Sequence, residues 1–475
     1  MADAIDADIL IIGAGSAGLS VAAGAAQLGK SVVLCERGEM GGDCLNYGCV
    51  PSKALLAAAK AAHAFRTASK FGLKDAEPEI DFAAVNDHVQ DVIAQIEPHD
   101  SQARFEGLGV TVIRERARFT GPREAEAGGR TIRFRHALIA TGSSPFVPPI
   151  DGIAETPHLT NESLFDLRSL PARLIIIGGG PIGLEMAQAH RRLGSEVVVL
   201  EAEKALGKDD SEFAAIVLDR LRAEGVDIRE GARVEAVRKT EAGVEADVAT
   251  GAARETVAGT DLLVAVGRRT NTDDLGLEAA GVETDGRRLK VDARLRTTNR
   301  RVYAAGDVAG GLQFTHVAGY HAGIVVRNMI FKTPSKNDES IAPWATYTDP
   351  ELAQVGLTEA AARERLGDKV SVVSLGYDEN DRGRAERATE GRAKAIIGKG
   401  GEILGATIVG KSGGDLIGLW AYAIANKQTV KSFTNYVAPY PTFGEISKGL
   451  GSAYYKPTLF SDRTRLLVRM LGAFD

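Results

Sequence analysis

Asp8-Ile9-Leu10-Ile11-Ile12-Gly13-Ala14-Gly15-Ser16-Ala17-Gly18 carries an apolar run straight into three spaced glycines, and its reading decides the fold. Asp8 to Ile12 reads as a buried strand, and an Ala-rich helix opens after the glycines. A second strand, Ser31-Val32-Val33-Leu34-Cys35, ends at Glu36. A lone G-x-G-x-x-G is a weak signal. Strand, glycines, helix, strand and terminal acid in that order are a strong one, the mark of a dinucleotide-binding unit. Gly13, Gly15 and Gly18 allow a tight turn and the close approach of a pyrophosphate, which rests on the helix N-terminus. Glu36 stands where it can accept from a ribose hydroxyl.

The pattern recurs. Arg173-Leu174-Ile175-Ile176-Ile177 leads into Gly178-Gly179-Gly180-Pro181-Ile182-Gly183, and Glu196-Val197-Val198-Val199-Leu200 ends at Glu201. Gly13 to Glu36 and Gly178 to Glu201 are both spans of 23 residues. Two copies imply two bound dinucleotides and an α/β chain with two Rossmann-like domains. The turns at Gly178, Gly180 and Gly183 would hold the second. Glu201 can accept from a 2′-hydroxyl but would repel a 2′-phosphate, so NADH is expected over NADPH. Lys204 and Lys208 are the nearby cations that could offset it.

Between the two units lies Gly41-Gly42-Asp43-Cys44-Leu45-Asn46-Tyr47-Gly48-Cys49-Val50-Pro51-Ser52-Lys53, in a chain with only 3 cysteines. Pro51 suits the first turn of a helix, and Lys53 to Ala59 is strongly helix-forming. Cys49 is thus expected at a helix N-terminus, where the dipole favours a thiolate. The segment resembles the active-site motif of the flavoprotein disulfide reductases, the pyridine nucleotide-disulfide oxidoreductases that include lipoamide dehydrogenase, glutathione reductase and mercuric reductase. The resemblance extends from about Asp8 to about Ser452. It implies that the first unit holds FAD and the second a nicotinamide nucleotide. It also implies that Cys44 and Cys49 form a redox-active disulfide, Cys49 facing the flavin and Cys44 exchanging with the acceptor. Lys53 would approach the reactive edge of the flavin, paired with Glu185.

Other stretches follow the family's order. Gly42 opens the cysteine segment, and Thr141-Gly142 follows the strand that closes the FAD unit. Gly267 stands at the equivalent place in the nicotinamide unit, and Val302-Tyr303-Ala304-Ala305-Gly306-Asp307 resembles the second FAD fingerprint. The implied organisation is FAD-binding over 1–150 and 271–340, NAD-binding over 151–270, and an α+β dimerisation domain over 341–475. A homodimer is implied, in which that last domain completes the partner's site.

One departure bears on function. Lipoamide dehydrogenase and glutathione reductase carry a C-terminal His–Glu dyad for proton transfer. Here the segment reads Ala438-Pro439-Tyr440-Pro441-Thr442-Phe443-Gly444-Glu445, with Tyr440 at the His position and Glu445 retained. The last of 8 histidines is His321. An ordinary Tyr, with pKa about 10, is a poor general base at neutral pH. The vicinal cysteine pair that ends mercuric reductases is missing too, since no cysteine follows Cys49.

Composition excludes other classes. Net charge is −6 with no basic block, which argues against nucleic acid. No apolar run reaches membrane-spanning length, and the acidic start is unlike a signal peptide, so a cytoplasmic location is expected. No metal-ligand cluster is expected. His316 and His321 read as packing residues of the FAD unit, Cys35 as core, and Phe460 to Leu471 as a dimer-docking helix in preference to a membrane contact. The expected reaction is electron transfer from NAD(P)H through FAD and Cys44–Cys49 to a small disulfide, a persulfide or a soft metal ion. The alternatives are a quinone or oxygen reductase, a transhydrogenase that bypasses the thiols, or a non-enzymatic thiol sensor.

Overall fold

The computed structural model describes residues 4–472. The first three residues of the acidic start lie outside them. Three sheets organise the chain. In the first, Ala4–Ile12 is central, with Val32–Cys35 and Arg130–Ile139 parallel on either side (Ile9 opposite Val32, Ile12 opposite Ile139). Apolar residues fill both faces: the helices Ser16–Gln27 and Thr315–Met329 cover one, and Phe119, Ala125, Leu275 and Val282 from antiparallel strands and a loop cover the other. Val302–Ala304 returns from far along the chain to pair with the end of Arg130–Ile139. Asp307 is thereby placed at the same edge as the glycine turn.

The second sheet is a parallel set in the order Val226–Glu230, Glu196–Glu201, Arg173–Ile177, Asp261–Val264. One face packs on an antiparallel three-stranded sheet of Ala232–Thr240, Gly243–Thr250 and Ala253–Gly259, sharing a core of Ile175, Val198, Val237 and Val248. The helix Pro181–Leu193 covers the other face, with Pro181 at its first position and Gly194 in the left-handed region ending it. The two crossings between the sheets, Ser143–Pro145 and Arg268–Thr270, lie side by side as an antiparallel ribbon.

The third sheet is antiparallel, ordered Trp344–Thr346, Glu351–Gly356, Ile403–Gly410, Arg392–Ile397, Ser371–Gly376. Its core centres on Trp420, stacked on Phe433 at 4.0 Å and donating to Ser447 Oγ at 3.1 Å. Two ionic clusters fasten it to the second. Arg192 donates to Glu224 at 2.6 Å and to Asp349 at 3.1 Å, and the buried Lys394 ammonium meets Asp210 at 3.0 Å and Glu359 at 2.9 Å. Charges removed from water in this way are tolerated because each is paired and hydrogen-bonded.

The lesser expectations divide. Cys35 is core, its thiol pushed up to about 12 by burial and by Glu36. His321 is fully buried beneath the Gly306 turn, as expected. His316 is not a packing residue: it is exposed, and its Nε2 lies 2.7 Å from the Pro343 carbonyl at the start of the third sheet. No cluster of three metal-binding side chains occurs among the described residues, and no described helix is long and apolar enough to cross a membrane.

Candidate active site

A cavity of about 1200 Å³ opens where the three sheets meet. Its glycines fall into two kinds. A Cβ on Gly13 would sit 2.3 Å from the Ala140 carbonyl oxygen, and one on Gly18 would sit 1.9 Å from that of Gly13. Gly178 and Gly183 repeat this, at 2.5 Å from Ala265 O and 2.0 Å from Gly178 O. These four are dictated by the protein's own packing. Gly15 and Gly180 differ: a Cβ there meets no protein atom within 4 Å. Each lies beside a helix N-terminus, so the open space suits an approaching pyrophosphate.

The two acids are also alike. Glu36 accepts from the amides of Ala14 at 2.6 Å and Gly38 at 2.7 Å. Glu201 accepts from Gly179 at 2.7 Å and Glu203 at 2.8 Å. Each carboxylate therefore stands at its turn, oriented by backbone donors. These residues fit two dinucleotides. Gly42, at φ +63°, lies so close to the first turn that a Cβ would come 2.8 Å from Gly15 Cα, which clamps the cysteine segment to the fingerprint. Gly142 and Gly267, at φ +66° and +129°, turn the chain at the two crossings. The Thr141 hydroxyl donates to the Asn271 carbonyl at 2.6 Å, so it ties the crossings together. Asp307 accepts from the Ser143 hydroxyl, and burial pushes its carboxyl above the usual range.

The cysteines lie at the cavity's centre. Cys44 is in a short helix, Gly42–Asn46, and Cys49 begins the helix Cys49–Arg66. The adjacent Cys44 thiol, the Thr315 hydroxyl at 3.3 Å and the Lys53 charge outweigh burial and bring the Cys49 thiol down to about 6. Cys44 moves the other way, raised by its closeness to Cys49 and by burial. Of the pair, Cys49 is thus the more readily ionised.

Lys53 Nζ donates to Glu185 Oε2 at 2.8 Å, and Tyr347 N donates to Glu185 Oε1 at 2.8 Å. The Lys53 ammonium also lies 4.4 Å from the centre of the Tyr347 ring. The implied Lys53–Glu185 pair is thus formed. Sequence reasoning missed three participants. Thr315 and Tyr347 carry no motif of their own. Arg268 was passed over as a strand residue, yet it donates to Ser143 Oγ at 2.7 Å and meets Asp43 at 2.9 Å. Its position directly after Gly267 was the one available signal.

Tyr440 lies apart from this chain's own cysteines. It is 71 % exposed, and its hydroxyl donates to Asp381 at 3.1 Å. That acceptor raises the phenol above its usual pKa. Glu445 begins the helix Glu445–Leu459 and accepts from Thr442 N at 3.3 Å. Within this chain the hydrogen-bond partner of Tyr440 is Asp381, and Glu445 instead holds the turn at Thr442.

A family model described as pyridine nucleotide-disulphide oxidoreductase matches residues 7–322. The chain belongs to this family. The dimerisation domain of the same family matches residues 342–449 and supports a homodimer. The oxidoreductase is 36 % identical to a mercuric reductase of Streptomyces lividans, over 93 % of this chain and 94 % of that one. It is 35 % identical to a dihydrolipoyl dehydrogenase of Thermus scotoductus, over 95 % and 98 %. Among solved structures, the Cu(II) complex of the HOCl-induced flavoprotein disulfide reductase RclA from Escherichia coli superposes with a TM-score of 0.83 at 30 % identity, covering 94 % of this chain and 99 % of that one. LpdA from Mycobacterium tuberculosis gives 0.85 at 27 % identity, with coverage of 94 % and 99 %. The oxidoreductase is an FAD-dependent enzyme using a pyridine nucleotide, and its redox-active disulfide is Cys44–Cys49.

Two outcomes are expected. Gly15→Val should fold yet weaken FAD retention by at least about tenfold, whereas Gly18→Val should fail to fold. Flavin content and circular dichroism of the purified variants decide this, and a flavin-replete Gly15→Val would refute the division of the glycines. Thr315→Val removes a hydrogen bond worth about 1 kcal/mol from the Cys49 thiolate. The pH midpoint for iodoacetamide alkylation of the reduced enzyme should therefore rise above that of the parent, and an unchanged midpoint counts against a role for Thr315.

Proposed function

We propose that the enzyme oxidises NADH and delivers the electron pair through Cys44–Cys49 to soft metal ions, one Hg(II) reduced to Hg(0) or two Cu(II) each reduced to Cu(I), in preference to a dithiol–disulfide substrate. Residues 1–150 and 271–340 would hold FAD, residues 151–270 the nicotinamide nucleotide, and residues 341–475 the dimer contact. Gly13, Gly15, Gly18 and Asp307 would hold FAD, which would supply two-electron transfer between nicotinamide and disulfide. Hydride equivalents from NADH convert the disulfide to one thiol and one thiolate, with NAD⁺ released, so charge and protons balance. Cys49 holds the thiolate, stabilised by Thr315 and Lys53, and Glu185 keeps Lys53 in place. Cys44 retains the proton and meets the acceptor.

The observation that carries the acceptor reading is Tyr440. A disulfide substrate needs a base to take the Cys44 proton and an acid to return it. With no histidine beyond His321, Tyr440 is the titratable group at that place, and Asp381 holds it protonated. A dithiol that binds a soft metal ion can lose its proton to water as the metal–sulfur bond forms. The mercuric reductase relatives and the Cu(II) complex of a structural neighbour support this reading. Glu201 supports NADH, since a carboxylate at the end of that strand would repel a 2′-phosphate.

Steady-state assays test the acceptor. Turnover with dihydrolipoamide or glutathione disulfide should lie at least about 100-fold below that of a dyad-bearing relative, since general-base help contributes 10²–10⁴-fold. Tyr440→His should raise it. A wild-type rate equal to the relative's would mean another group carries the proton. Stopped-flow reduction with each nucleotide tests the donor: NADH should reduce the enzyme faster, and faster reduction by NADPH would show that Lys204 or Lys208 outweighs Glu201.

A further inference from the structure

The last helix, Asp462–Leu471, has no buried residue. Leu466, Leu467, Val468, Met470 and Leu471 are each between 50 and 61 % exposed, and Leu459 and Phe460 in the turn before it are 57 and 60 % exposed. Single exposed apolar residues are ordinary, but seven within this short stretch form a contiguous patch that requires a cover. The helix is properly started, with Ser461 Oγ accepting from Thr464 N at 3.3 Å, so it is not a frayed end.

Helical spacing places Leu466, Leu467, Met470 and Leu471 on one face, while Asp462, Arg465 and Arg469 share the opposite stripe. From Lys456 to Leu471 the segment carries Lys456, Arg463, Arg465 and Arg469 against one acidic side chain, Asp462, although the chain as a whole has charge −6. Among the described residues Arg465 pairs only with Asp462, at 3.3 Å, and Arg463 and Arg469 make no ion pair. The matched dimerisation segment ends at residue 449, short of this helix. Apolar side chains beside unpaired arginines, beyond the matched dimerisation segment, match an anionic lipid surface better than a second copy of an acidic protein.

We propose that the helix Asp462–Leu471 docks the enzyme on anionic bilayers. It lies flat, with the leucines and Met470 at the acyl boundary and Arg465 and Arg469 against headgroup phosphates. Arg463 falls within the apolar face, between Met470 and Leu467, and reaches the headgroups by extending its long stem. Ten residues span only about 15 Å, half the hydrocarbon thickness, so the helix rests on the bilayer without crossing it.

Vesicle flotation of the FAD-loaded enzyme tests this. The enzyme should float with mixed phosphatidylcholine–phosphatidylglycerol vesicles, not with phosphatidylcholine alone, and less so as salt rises. The Arg463→Gln/Arg469→Gln variant should bind about 25-fold more weakly, about fivefold for each arginine. Leu467→Asp/Met470→Asp should abolish binding. Both variants should keep wild-type flavin content and the wild-type mass by light scattering. Failure to float with the anionic vesicles, or equal flotation with neutral ones, overturns the proposal. So does a fall in mass of the Leu467→Asp/Met470→Asp variant from dimer to monomer, which would assign the patch to a second copy.

Discussion

The Glu185 carboxylate is the point on which the rest of the molecule turns. It projects from the helix that follows the second glycine turn, is nearly buried, and has one oxygen on Lys53 and the other on the Tyr347 amide. Three sheets therefore meet at one charged group. A carboxylate removed from water is costly unless its lone pairs are satisfied, so its two partners must arrive together. The position of Lys53, and through it the electric field at Cys49, depends on the docking of segments more than a hundred residues apart. The redox centre is assembled by tertiary structure even though its cysteines are local in sequence.

The thiols show how little chemistry separates two roles. Cys44 and Cys49 share a short segment. The asymmetry arises because Cys49 has Thr315 and Lys53 beside it while Cys44 is raised by its closeness to Cys49 and by burial. At the far end of the chain the same logic works in reverse. Asp381 takes the Tyr440 hydrogen bond and fixes the phenol in its neutral form. The electron-donating half of the site and the acceptor-facing half thus differ in whether a neighbour withdraws or retains a proton.

Legibility followed distance along the chain. Both glycine turns, their terminal acids and the thiol segment were readable because strand, turn and helix signals are contiguous. Even Lys53–Glu185, which joins residues far apart, was accessible through family likeness. Thr315, Tyr347, Arg268 and Asp381 were not, because each acts only once folding brings it to a partner and none sits in a patterned stretch. His316 shows the same limit: helical position suggested packing, and it does stack on Phe314, but it is exposed and the carbonyl it meets comes from a later segment.

The paired crossings, Ser143–Pro145 against Arg268–Thr270, make the second sheet an insertion whose two ends are held together. The first sheet is completed by Val302–Ala304, which must find Arg130–Ile139 across that insertion. Had the intervening chain remained loose, closing so long a loop would carry a large entropic penalty. Once the inserted unit has folded, its ends emerge as neighbours, and the effective separation shrinks to the stretches flanking the ribbon, 140–142 and 271–301. The interruption of one nucleotide fold by another thus need not slow assembly. It also makes the inserted unit separable in principle, as a module that could be exchanged at those two adjacent points without disturbing the sheet that receives it.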